Sequence, residues 1–99
     1  MPAYMIITAD ISDRSEFIAG YGRAAADLVA QFGGKYVLRA PGAELIEGDF
    51  GKGASVVISE WVDKEAALRF WNSPEYAHIK KMRDGLASCQ ILLVEGELS

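Results

Sequence analysis

The chain has 99 residues, 51% of them apolar, and a formal net charge of −4. That length suits one domain, residues 1–99, and the apolar share is generous for so small a core. The Lys and Arg residues are scattered without a basic patch, which excludes a nucleic-acid surface, and no segment is long enough to cross a bilayer, which excludes a membrane span.

Tyr4 to Ile11 is rich in β-formers and reads as the first strand. Its approach, from Met1 to Ile7, lacks a basic region, and Asp10 cuts the apolar run short, so it does not read as a signal peptide. A reduced, cytoplasmic location is expected. Asp13 with Glu16 three residues on resembles a capping box and starts a helix. Phe17, Tyr21, Ala24, Leu28 and Phe32 recur there at helical spacing, with Glu16, Arg23 and Asp27 on the opposite side. Gly33-Gly34 ends the helix.

Lys35 to Ala40 reads as a short strand, with Val37 and Arg39 on one face and Tyr36 and Leu38 on the other. Pro41-Gly42 turns the chain. Ala43 to Gly48 is expected to pair or extend nearby, and Asp49 to Gly53 forms a second turn. Ala54 to Trp61 is a strong strand, and Asp63 caps a helix over Lys64 to Trp71. Ser73-Pro74 breaks that helix and starts another: Ser73 is a good N-cap, and proline fits the first helical position. This last helix carries Tyr76, Ile79, Arg83 and Leu86 on nearly one face. Cys89 to Gly96 closes the chain as a strand whose Ile91-Leu92-Leu93-Val94 run suits full burial.

The order β, α, β, β, α, β predicts an α+β fold of the ferredoxin-like, split βαβ type. It has an antiparallel sheet with helices on one face. The uncovered face would still carry apolar residues, and such a face marks a partner surface. A two-fold homodimer packed sheet to sheet, a dimeric α+β barrel, is the expected assembly.

The chain resembles the small, mostly bacterial domain-of-unknown-function family 1330. The resemblance rests on Gly33-Gly34-Lys35-Tyr36 with Arg39, on Glu47-Gly48-Asp49, on Ser73-Pro74-Glu75-Tyr76 with Arg83, and on Leu93-Val94-Glu95-Gly96. No one of these is specific; their order and spacing carry the match. The resemblance implies the ferredoxin-like fold and the dimer. It implies no settled activity and transfers no catalytic residues. The wider superfamily includes cofactor-free monooxygenases, haem-degrading enzymes and lactone isomerases, an analogy of fold only.

The residues themselves nominate a site. Arg83 falls on an apolar helix face, so it needs either an acid partner (Glu47, Glu60 or Asp10) or a ligand it can grip with its planar fork. Arg39 joins it in one pocket if it faces the helices and is unremarkable if it faces solvent. Two converging arginines favour an anionic ligand. Trp71, Tyr76, Tyr21 and Tyr4 can line an aromatic cavity or simply fill the core. Glu60 and Asp10 sit within or at the end of apolar strands, and either does acid–base work if desolvated or pairs with an arginine. His78, the one histidine, is the default general acid or base, although it lies at the edge of the apolar face.

Cys89, the one cysteine, lacks a nearby basic motif and reads as an inert buried thiol. One Cys and one His leave no zinc set, and no metal or cofactor is expected. Trp71 with His78 invites comparison with haem-degrading relatives, which also use an Asn from the first strand. Thr8 stands there instead, which counts against haem. Three functions remain open on sequence: cofactor-independent proton transfer or oxygenation of a small molecule, non-catalytic ligand binding, and a purely structural homodimer.

Overall fold

In the computed structural model, which describes residues 1–99, the alternation of apolar side chains builds four strands. These are β1 (Ala3–Ile11), β2 (Lys35–Ala40), β3 (Ser55–Trp61) and β4 (Ala87–Glu95). They form one antiparallel sheet in the order β2-β3-β1-β4. The helical segments α1 (Arg14–Phe17), α2 (Arg23–Gln31), α3 (Lys64–Trp71) and α4 (Pro74–Lys80) cross over one face of it. This is the ferredoxin-like α+β arrangement, and its core lies between helices and sheet. Ala3, Met5 and Trp61 of the strands pack there against Leu28, Val29, Ala66, Ala67, Phe70 and Tyr76. Phe70 sits at the centre, its ring 5.1 Å from Trp61, 4.7 Å from Tyr76 and 6.0 Å from Phe32.

The helix starts follow from their caps. Asp13 Oδ1 accepts from the Glu16 N–H at 3.1 Å, and Asp63 Oδ1 accepts from the Ala66 N–H at 2.8 Å. Ser73 serves two helices at once. Its hydroxyl donates to the Phe70 carbonyl at the end of α3 and accepts from the Tyr76 N–H at the start of α4. Pro74 occupies the first turn of α4. The break between α3 and α4 is therefore a hydrogen-bonded corner, and it aims Tyr76 into the core.

Four local expectations are corrected. Between α1 and α2 the helix passes through a π-helical segment, Ile18–Gly22, which inserts a residue into the turn. The buried face after Tyr21 therefore continues through Ala25, not Ala24. Residues 43–48 form no strand. Ala43 instead holds the base of a glycine-rich loop through the Ala43 N–H to Ala54 C=O and Gly53 N–H to Ala43 C=O bonds, both 2.8 Å. The last helix tightens into a 3₁₀ turn, Lys81–Arg83, and a positive φ at Gly85 ends it, so Leu86 is not helical. Finally, the 91–94 run alternates rather than being fully buried, with Leu92 and Val94 exposed on the uncovered face of the sheet, the face that Leu38 of β2 shares at the opposite edge.

Candidate functional site

A cavity of about 280 Å³ opens between the sheet and the helices. Its floor is the inward side of three strands: Ile7 and Ala9 of β1, Ser55, Val57 and Ser59 of β3, and Cys89 and Ile91 of β4. Its roof is Phe17, Ile18, Tyr21, Ala25 and Val29, and Phe70, Trp71 and Tyr76 close one side. Small residues make the space. Ala9 and Ala25 leave volume where larger side chains would meet, so the layers separate without exposing the core.

Three arginines reach this cavity: Arg14 from α1, Arg39 from β2 and Arg83 from the 3₁₀ turn. No aspartate or glutamate lines it. In a chain with 14 acidic and 10 basic residues, that is a concentration of positive charge against the overall balance. Arg14 Nη1 donates to Ser55 Oγ at 2.9 Å. Arg39 is exposed at the mouth, its guanidinium 5.3 Å from the centre of the Tyr36 ring. Arg83 is 9% exposed, its guanidinium 5.5 Å from the Tyr21 ring, and its Nε has no hydrogen-bond partner.

Arg83 has no acid partner. The chain's one ion pair joins Lys35 to Glu60 at 3.9 Å. Burial acts to weaken the Arg83 charge, but Tyr76, Cys89 and Tyr21 around it act the other way, and its pKa lies above the ordinary arginine value. A guanidinium held charged, dehydrated and without a carboxylate has the chemistry to accept an anion.

The aromatic wall is polar at one point. The Tyr21 and Tyr76 hydroxyls lie 2.7 Å apart in a hydrogen bond, and Trp71 packs on Tyr76 with ring centres 4.9 Å apart. Burial pushes the Tyr21 phenol far above the usual tyrosine range, reinforced by Tyr76 and opposed by Arg83. The Tyr36 phenol is raised too, chiefly by burial. Both phenols therefore remain neutral donors at physiological pH. The unfolded chain releases these protons near pH 10 and the folded chain resists, so stability is full below pH 10 and falls above it. The denaturation midpoint is expected to drop as pH rises past 10, and Tyr21→Phe should flatten that decline.

Of the residues nominated by sequence, the structure brings Arg83, Arg39, Tyr76 and Trp71 to one cavity. A β-bulge between Tyr36 and Leu38 decides the case of Arg39. The extra residue, Val37, shifts the alternation, so Tyr36 and Arg39 share the helix-facing side instead of opposing each other. Glu60 is not at the cavity. It lies on the opposite sheet face, where it accepts from the Tyr4 hydroxyl at 2.8 Å. The parity of β3 forces this, because Ser59 and Trp61 point inward. His78 is not there either. Two residues after the buried Tyr76, it projects from the far side of α4 and is exposed. Arg14 and Ser55 were not foreseen. The signal for Arg14 was the helical spacing of Arg14, Phe17, Ile18 and Tyr21, which puts it on the apolar stripe. No group of three or more His, Cys, Asp or Glu side chains is placed to hold a metal ion. No helix is long and apolar enough to cross a membrane.

Comparison with known proteins agrees with this architecture. The RPA0582 protein of unknown function from Rhodopseudomonas palustris superposes with a TM-score of 0.79 at 19% identity, over 99% of this chain and 84% of that one. SnoaB, a cofactor-independent oxygenase from Streptomyces nogalater, superposes with a TM-score of 0.71 at 19% identity, over 99% and 95%. A dimeric ferredoxin-like protein of unknown function from Jannaschia sp. CCS1 does so with a TM-score of 0.74 at 9% identity, over 97% and 100%. At such identities the likeness is one of fold. No curated protein matches the chain. The model of one family, described as a domain of unknown function (DUF1330), matches residues 2–97, and the chain belongs to that family.

Proposed function

We propose that this protein binds a small organic anion with an apolar, ring-bearing body in the cavity between helices and sheet. One observation carries the reading: three arginines and no acid line a mostly apolar hollow, and the most buried of the three has no counter-ion. Arg83 grips the anionic group beside the Tyr21 and Tyr76 hydroxyls, and Arg39 and Arg14 attract it at the mouth. Trp71, Phe70, Ile7 and Val57 bury the body of the ligand. The volume, near the lower end of about 300–1,000 Å³ for small-molecule sites, suits one or two rings.

Calorimetric titration with naphthoate and with the neutral naphthamide tests this. The carboxylate is expected to bind at least about tenfold more tightly, the least that one charge-assisted hydrogen bond contributes. Equal affinity for the two would overturn the reading.

A second reading extends the first. A guanidinium beside two phenol hydroxyls stabilises negative charge that develops on oxygen, as cofactor-independent chemistry on an ionised carbon acid requires. SnoaB, of the same fold, is a cofactor-independent oxygenase. No histidine or carboxylate lines the cavity to take a proton, so the substrate must be acidic enough to enter ionised. A carbon acid that binds only as its enolate, seen by its ultraviolet band, supports this; binding in the neutral form counts against it.

The protein is further proposed to act as a homodimer, joined through the uncovered sheet face. Ile6, Ile58, Leu38, Leu92 and Val94 lie together there, an apolar surface that costs free energy in water. The Jannaschia neighbour of the same fold is dimeric. Analytical ultracentrifugation should show a dimer at micromolar concentration, and Leu92→Lys should yield monomers with the helical signal unchanged.

A further inference from the structure

Cys89 is the chain's one cysteine, and its place in the fold gives it more than a packing role. It sits on β4 opposite Ala9, pointing inward, half-buried and part of the cavity wall. The small Ala9 beside it leaves its sulfur open to the cavity. The Arg83 guanidinium lies against it, nine-tenths buried with an unpartnered Nε. A thiol and a guanidinium without an acid partner thus face one cavity. No acid lines that space to neutralise the guanidinium or repel an incoming carboxylate.

We propose that Cys89 is a nucleophile that captures small carboxylates bearing an electrophilic carbon, with Arg83 holding the carboxylate while sulfur attacks the carbon. The inference rests on the anion-binding reading of the same cavity. With an α,β-unsaturated carboxylate, the sulfur bonds to the β-carbon, the double-bond pair moves toward the carboxylate that Arg83 holds, and the thiol proton ends on the α-carbon. Nothing is oxidised or reduced, and no group leaves. The Arg83 charge concentrates the anionic electrophile beside the sulfur.

Alkylation rates test the proposal, because one cysteine makes the readout unambiguous. Iodoacetate and iodoacetamide are applied separately to the native protein and to the protein in urea, and adducts are counted by intact mass. Each reagent forms one S–C bond, iodide leaves with the C–I pair, and the thiol proton goes to solvent. The iodoacetate-to-iodoacetamide rate ratio is expected to be at least about tenfold higher in the native protein than in urea, a factor within reach of local charge. Arg83→Gln, with folding checked by circular dichroism, should return the ratio to its value in urea. A native ratio equal to the unfolded one, or native Cys89 that does not react, overturns the proposal without needing the variant. A ratio that stays high in Arg83→Gln overturns the role of Arg83, and the proposal with it. If naphthoate outbinds naphthamide while the alkylation ratio is unchanged, the cysteine inference fails and the anion site stands. If the ratio rises while naphthoate shows no preference, Arg83 still draws small carboxylates to Cys89, and only the ring-bearing class of ligand falls.

Discussion

Arg83→Leu is expected to weaken anion binding roughly thirtyfold while leaving the unliganded protein about as stable as before. Two accounts of Arg83 make opposite predictions. If it were half of a buried ion pair, its removal would strand a carboxylate and cost about 3–5 kcal/mol. No carboxylate stands within ion-pair distance, and its Nε bonds to nothing. Leucine therefore strands no partner and relieves the burial of a charge. What it loses is the contact of the guanidinium with the Tyr21 ring, worth about 1 kcal/mol or less. The two roughly cancel, and the denaturant midpoint should move by less than about 1 kcal/mol. Binding should respond differently. A charge-assisted contact in a dry site contributes about 2 kcal/mol, so naphthoate affinity should fall roughly thirtyfold while naphthamide is little changed. A fall of about 3 kcal/mol in stability would show instead that Arg83 is a structural residue with an unseen partner.

Gly34→Ala is expected to destabilise the chain through the tightest clash that an added Cβ would meet at any of its glycines. A Cβ there would lie 2.7 Å from two ring atoms of Trp61 and 2.9 Å from a third. No real pair of carbons sits that close, so something must shift. Trp61 cannot give easily: it is 1% exposed, packed at a tilt against Phe70, and tied by its indole N–H to Ser59 Oγ at 2.9 Å. Overpacking of this kind costs about 1–3 kcal/mol, which for a chain of this size lowers the melting temperature by roughly 5–20 °C. The effect should be coupled to the tryptophan. In the Trp61→Phe background, the smaller ring leaves room and the penalty of Gly34→Ala should shrink by more than half, a non-additivity that a double-mutant cycle reads directly. Additive effects would mean that the strain is taken up in the backbone instead. The neighbouring Gly33 differs in kind. Its φ of 88° ends α2 in the left-handed region, and nothing stands within 4 Å of an added Cβ, so its requirement is conformational alone.

The two predictions mark where local pattern sufficed and where it did not. The strands at both ends of the chain, the Asp13, Asp63 and Ser73 helix starts, and the Gly33-Gly34 stop are local events set by spacings of two to four residues, and all were legible. Together with the order of elements they settled the antiparallel ferredoxin-like sheet. The inward turn of Arg83 was legible too, because Tyr76, Ile79 and Arg83 share one side of a helix. Two of the remaining errors come from single-residue shifts. The π-helical insertion at Ile18–Gly22 exchanged Ala24 for Ala25, and the bulge at Val37 swung Arg39 from one sheet face to the other. Neither leaves a periodic trace, since each is itself a break in the period. Glu60 and His78 were attractive by chemistry and are excluded by parity and helix angle, which place them on outward faces.

By itself, then, the order of residues determined which main segments would be strands or helices, where most of them begin, and that one arginine would turn inward, because these depend on neighbours within one turn or one pleat. Tertiary packing alone decided that Arg14, Arg39 and Arg83, drawn from three separate elements, share one hollow from which every carboxylate is absent. It also decided that Cys89 opens onto that hollow. The reason is physical: the sign of a cavity is a sum over side chains distant along the chain, and a local pattern carries no information about which of them will meet.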